Sequence, residues 1–162
     1  MLAVAVLGAL AVVTTGARPD AEASFPVGVE AAHVGTTYAF DGVLCLGSSV
    51  AGSTVADVQV EQAPGSTTRL TRPVEGSPTL GIPVDGDVAA AEPAEGYAVP
   101  AGEQDCELRL LVTADRMGEL QAGRIRLRLA YGPGGLLRRT FTLEPPITLD
   151  ATQTGPDTRA GG

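Results

Sequence analysis

The chain has 162 residues, with 21 Gly, 12 Pro, no Trp and a net charge of −8, and its eleven basic residues are all Arg. One domain's length, dense in turn formers and poor in aromatics, argues against a helical bundle and for many short strands around an Ala, Val and Leu core. The acidic balance argues against nucleic acid as a partner and against adsorption to an anionic membrane surface, because both need a basic excess on the contact face.

The opening run MLAVAVLGALAVVTTGA carries no charged side chain. Leu2 to Val13 has the length of a signal-peptide apolar region, although a basic segment before it is missing. Ala21-Glu22-Ala23 has the small-x-small form of a cleavage site, and Thr15 to Ala17 is the alternative. As a membrane span the run stands at the short limit, and it also fits a clipped part of a longer leader. Residues 1–23 are therefore expected to form a signal peptide or short N-terminal membrane anchor. Residues 24–150 are expected to form an extracytoplasmic domain, secreted or held at the cell membrane by that segment alone. Residues 151–162 lack an apolar anchor and read as a disordered tail.

Within the domain, Phe25 to Val29 reads as a short strand, and TTYAFDGVLCLG as two more segments broken at Asp41-Gly42. In VADVQVEQA, Val58 and Val60 share one face and Asp57, Gln59 and Glu61 the other, a half-buried strand pattern. Pro64-Gly65 marks a turn. Pro73 to Asp105 holds seven acidic residues and no basic one, and predicts a long Pro-rich surface excursion that adds little to the core. Within it, PTLGIPVDGD predicts one edge strand, since Pro83 has no ladder donor. Asp85-Gly86-Asp87 lacks the twelve-residue ligand spacing of a calcium loop and reads as a solvated acidic turn. In CELRLLV, Cys106, Leu108, Leu110 and Val112 share one face. TADRMGELQAG predicts a loop or one helical turn, and EPPITLD a closing edge strand carrying Ile147 and Leu149.

The sharpest pattern is GRIRLRLAYGPGGLLRRTFTL. Period-two alternation puts Ile125, Leu127, Leu129 and Tyr131 on one face and Arg124, Arg126 and Arg128 on the other. A three-residue loop of Pro133, Gly134 and Gly135 sets Leu129 opposite Arg139, Leu127 opposite Phe141 and Ile125 opposite Leu143. Other loop lengths would turn Phe141 and Leu143 to water, at about 1.5 to 3 kcal/mol each. Arg139 is then the one inward-facing charge, near a hairpin end where it can snorkel. The outer face shows Arg124, Arg126, Arg128 and Arg138. It reads either as a solvated face paired to Glu107, Asp57 or Glu61, or as a contact surface for an acidic protein or cell-envelope polymer.

Catalytic groups are scarce. His33 is the only histidine, which rules out a multi-histidine zinc or copper site within one chain. CLGSSVAG lacks the G-x-S-x-G spacing of a nucleophile turn, and nothing in the sequence brings His33 to Ser48 or Ser49. There is no C-x-x-C, no phosphate-gripping loop and no Lys. The acidic residues that glycosidic chemistry would need gather in the Pro-rich stretch with no Trp platform beside them. No catalytic residue, metal ligand or cofactor is predicted. Cys45 and Cys106, the only cysteines, are a disulfide candidate in an exported chain, the alternative being two buried thiols.

These segments predict an all-β fold of two packed antiparallel sheets, immunoglobulin-like by analogy, with a small barrel as the other solution. The usual companions of that fold are missing: no Trp lies between the cysteines, and Gln104 stands where a corner Tyr would. GVLCLGSSVAGSTVADVQVEQ, DCELRLLV and AGRIRLRLAYGPGGLLRRTFTL together resemble uncharacterised exported or single-pass membrane proteins of high-GC actinobacteria. The resemblance covers about Val43 to Leu149 and implies a β-rich domain with one Cys in each half and a closing Tyr-x-x-Gly-Gly hairpin. Its shared residues are Cys45, Cys106, Tyr131 and Gly135, all structural, and it brings no catalytic residue. The expected function is a non-catalytic module that binds or spaces envelope components. The competing expectation is a carrier for a small apolar ligand between the sheets; a hydrolase ranks third.

Overall fold

The computed structural model describes residues 18–49, 51–76, 78–84 and 91–155. The apolar run before Arg18, the Asp85-Gly86-Asp87 turn and the chain after Gly155 lie outside the described residues.

The described chain is all-β, with several antiparallel sheets and no closed barrel. Its strands are β1 (Asp20–Ala23), β2 (Val27–His33), β3 (Thr37–Asp41), β4 (Leu44–Gly47), β5 (Thr54–Glu61), β6 (Ser66–Thr71) and β7 (Leu80–Val84). They continue as β8 (Gln104–Asp105), β9 (Arg109–Ala114), β10 (Gly118–Gln121), β11 (Arg124–Tyr131), β12 (Leu137–Leu143) and β13 (Ile147–Gln153). Hydrogen bonds group them as β1-β4-β8, β10-β13-β2, β12-β11-β5 and β6-β9-β3-β7. Among the described residues the one parallel pair joins β13 to β2.

Two long ribbons underlie these groups. β3 and β4, parted by Gly42 and Val43, run antiparallel to β9 and β8, from Thr37↔Thr113 to Gly47↔Gln104. β10 and β11 likewise run antiparallel to β13 and β12, from Gly118↔Ala151 to Tyr131↔Leu137. The second ribbon breaks where Ala122 and Gly123 face Glu144 to Pro146. There the sheets are tied by hydroxyls: Ser66 donates to the Gln121 carbonyl at 2.5 Å, and the Gly123 N–H donates to Thr68 Oγ1 at 2.8 Å. A Cβ on Gly123 would stand 2.7 Å from the Glu61 carbonyl oxygen, so only glycine allows this approach.

The expected register of the arginine hairpin is the observed one: Ile125↔Leu143, Leu127↔Phe141, Leu129↔Arg139 and Tyr131↔Leu137. Gly132, Gly134 and Gly135 all have positive φ in its turn, and Leu136 lies outside the ladder instead of facing Gly132. Arg139 is half-buried, its guanidinium 4.9 Å from the Phe141 ring centroid and donating to the Pro19 carbonyl at 2.7 Å. The inward charge is thereby stacked and hydrogen-bonded.

The core gathers Phe40, Leu44, Leu46, Leu108, Leu110, Leu120, Ile125, Leu127, Leu129, Ile147 and Leu149, each under 2% exposed. Several expectations are corrected. Gly118–Gln121 is a strand, not a loop or helical turn, because Leu120 is core and pairs with Leu149. β13 lies between β10 and β2 instead of at an edge. Strands extend past both ends of the 24–150 span: β1 pairs with β4 and buries Ala21, and β13 runs to Gln153 and buries Ala151. The Pro-rich stretch does reach the core through Ala94 and Val99, held by bridges Thr71↔Pro93 and Thr54↔Ala98. β7 is the expected edge strand, beside β3.

Candidate functional site

Cys45 and Cys106 form a disulfide with a Cα–Cα distance of 4.0 Å. Since Leu46 pairs with Asp105, the bridge joins neighbouring strands of one ribbon. It does not cross between facing layers as the immunoglobulin analogy implies. Cys45 is 4% exposed. A buried disulfide accords with an oxidising, extracytoplasmic compartment.

The same ribbon carries a partly buried ion pair. Arg109 donates through Nε to Asp41 Oδ1 at 2.8 Å and through Nη2 to Oδ2 at 2.7 Å. The Thr79 N–H and hydroxyl also donate to Oδ2, at 2.8 and 3.0 Å. Burial alone would raise the Asp41 pKa, but the Arg109 and Thr79 donors outweigh it and hold the carboxyl below its ordinary value. The Arg109 and Thr79 donors together tie the end of β3 to β9 and to the residue before β7.

Burial raises the Tyr97 hydroxyl pKa, and its 2.5 Å hydrogen bond to Asp105 Oδ2 adds to the shift. That bond closes the Pro-rich excursion onto β8. The other candidate groups are dispersed. His33 Nδ1 lies 3.2 Å from the Gly155 carbonyl oxygen, and the His33 N–H donates to the Tyr38 hydroxyl at 2.8 Å. Ser48 is buried and its hydroxyl bonds that of Ser53 at 2.7 Å. His33 ends β2 beside Gln153 and Gly155, whereas Ser48 follows β4 beside Ser53 and Gly102.

On the outer face of β12-β11-β5 the arginines form a row. Arg124, Arg126 and Arg128 stand opposite Glu61, Gln59 and Asp57 on β5, and Arg126 and Arg128 opposite Thr142 and Thr140 on β12. Arg138 stands opposite Ala130. Arg124 pairs with Glu144 at 2.8 Å and Glu61 at 3.5 Å, and Arg128 with Asp57 at 3.4 Å. Asp57 and Glu61 are thus partners as the alternation implies. Glu107 is not, because it sits on the other ribbon beside Cys106. Glu144 is a further partner that alternation does not reveal, because it lies just past the end of β12, before Pro145 and Pro146.

Two arginines of the row have no carboxylate partner among the described residues. Arg126 faces the neutral Gln59, whose amide instead donates to Asp57 at 3.2 Å. Arg138 donates only to the Leu137 carbonyl, at 3.1 Å. Open depressions follow the row. One of about 640 Å³ lies between Arg124 and Arg126 and is bordered by Thr140 and Thr142. One of about 180 Å³ continues to Arg128 and Asp57. At the other end, Arg124 and Glu61 border a third depression of about 560 Å³, floored by Pro26, Pro145 and Pro146. All three lie on the outer face or at its edge, while the inward side chains of the same strands are packed.

Searches against protein-family models, curated proteins and solved structures give no match for this chain.

Proposed function

We propose that this protein is a non-catalytic, extracytoplasmic β-sandwich module whose arginine-bearing sheet face contacts acidic cell-envelope components. The observation carrying this reading is the contrast between an apolar, buried inner face and an outer face on which Arg126 and Arg138 have no carboxylate partner among the described residues.

An immunoglobulin-like topology fits the registers. One layer runs from β1 and β7 through the β3/β4 and β9/β8 ribbon to β6, the A-B-E-D order. The other runs from β2 through the β13/β12 and β10/β11 ribbon to β5, the A′-G-F-C order with its parallel first and last strands. In this reading Cys45–Cys106 ties strand B to strand E. The disulfide supports export, and the N-terminal segment serves as leader or anchor. No helix among the described residues is long and apolar enough to cross a membrane.

The test is co-sedimentation of the purified protein with isolated cell-envelope polymer, with and without added salt. Binding that weakens with salt, and weakens again in the Arg126→Gln/Arg128→Gln double variant, is the expected outcome. Equal binding by wild type and double variant would remove the arginine face from the function. N-terminal sequencing and non-reducing mass analysis of the native protein read cleavage and cysteine state together.

A further inference from the structure

The partner class can be narrowed from the make-up of the track, taking the reading above as its base. We infer that the outer face of β12-β11-β5 holds a linear polyol-phosphate chain, with Arg126 and Arg138 each taking one phosphodiester group.

Three features of the face lead there. The first is which charges remain available. Arg124 and Arg128 are occupied by Glu61, Glu144 and Asp57, so Arg126 is the central guanidinium open to an incoming anion. Its neighbours Thr140, Thr142 and Gln59 carry neutral hydroxyl and amide donors suited to the remaining oxygens of an anion held by an arginine fork. Arg138, opposite Ala130, lies four residues further along β11 and one strand across, about 14 Å away at ordinary strand spacings.

The second is shape. The depressions share Arg124 and Glu61 at one junction and Arg126, Gln59 and Thr140 at the other. Together they make a continuous open track along the strands as far as Arg128, with Arg138 two residues beyond its end, which suits an extended chain better than a compact ligand.

The third is what the track lacks. Along Arg124, Arg126 and Arg128 its lining residues are charged or polar apart from Val60, the Pro, Ala and Ile147 side chains gather in the depression beyond Arg124, and no lining residue is aromatic. A protein partner would need an apolar anchor at the centre of the contact. Single-stranded nucleic acid would need aromatic platforms for its bases, and the rigid pyranose rings of an acidic polysaccharide would find none here to stack on. A polyol-phosphate chain has no ring to stack. Its flexible backbone can bring anions to both arginines while hydroxyls along it meet Thr140, Thr142 and Gln59. The acidic surplus of the whole molecule is screened beyond about 10 Å at 0.1 M salt, so the local surplus on the face governs the contact.

The experiment uses the intact protein and a synthetic glycerol-phosphate oligomer, followed by calorimetry or fluorescence anisotropy at about 0.1 M salt. Binding is expected to weaken roughly tenfold for Arg126→Gln and about threefold for Arg138→Gln. Asp57→Asn, which releases Arg128, is expected to tighten it about threefold. Arg69→Gln makes the same charge change at an exposed position of β6, in the other sheet, and should leave it unchanged. Equal losses for Arg69→Gln and Arg126→Gln would reduce the effect to net charge and overturn the assignment. Equal or tighter binding of oligogalacturonate, a polyglutamate peptide or a single-stranded oligonucleotide would also overturn it. Envelope polymer is assayed in parallel. If that polymer binds and the glycerol-phosphate oligomer does not, the phosphodiester assignment fails and the module reading stands; if neither binds, both fail.

Discussion

Arg109 and Arg126 stand at similar outward-facing positions on two ribbons of one fold, yet their surroundings give them opposite roles. Arg109 lies with Asp41 at 12% side-chain exposure each, in a bidentate pair whose remaining carboxylate capacity is filled by Thr79. Arg126 lies on an open face opposite a glutamine. Burial makes a charge dependent on one fixed partner, because desolvation is repaid only by complete pairing. Exposure lets a charge stand alone at little cost and stay open to a ligand. The two sheets follow the same division. One is held by a disulfide and a partly buried ion pair, while the other relies on the packed inner face of its hairpin and, Arg139 apart, keeps its arginines outside.

Breaking the staple should show the largest effect. Replacing Cys45 and Cys106 together by Ala should lower stability by about 4 kcal/mol, the unfolded-state entropy of a loop this long, read as a lower urea midpoint. On the unstapled side, Leu127→Ala should cost about 3 kcal/mol, since Leu127 is fully buried and its site cannot collapse without moving both neighbouring strands. A much smaller loss there would show that the second sheet does not depend on its hairpin face.

Asp41→Asn should cost about 2 kcal/mol by leaving Arg109 without its counter-charge. The native Asp41 pKa is lowered, so the pair's stabilisation is complete above the unfolded value near about pH 4 and is lost as pH falls through the lower native one. A pH series of melting temperatures should therefore show a steeper acid-side decline in wild type than in Asp41→Asn. Ala31→Gly is expected to stabilise by about 1 kcal/mol, because Ala31 is held at φ 54 in the β2 bulge, a conformation glycine adopts freely. The smallest effect belongs to Arg126→Gln, under about 0.5 kcal/mol on stability while ligand binding falls. A large loss of stability there would assign Arg126 a structural duty and end the contrast with Arg109.

Where alternation was strict, the fold could be read in advance. The β11–β12 hairpin, its register and its outward arginines follow from Ile125 to Leu143, since one apolar face admits only one pairing parity. β6 was hidden because its inward positions include Ser66 and Thr68, whose hydroxyls are used to tie the two sheets at the ribbon break. β10 was hidden because four residues with one core leucine carry too little pattern. Of the candidate site, the row of arginines was legible, but which of them remain open was not.

The sequence by itself determined which residues of the β11–β12 hairpin turn inward, its tight glycine turn, and the two cysteines available to join. Those depend on side-chain period and backbone conformation, which are local. Only the tertiary structure decided that the cysteines meet within one ribbon, that Glu144 swings onto Arg124, and that Arg126 is left facing a neutral neighbour. These are distances between segments far apart in the chain, set by how the ribbons bend and pack, and local alternation carries no information about them.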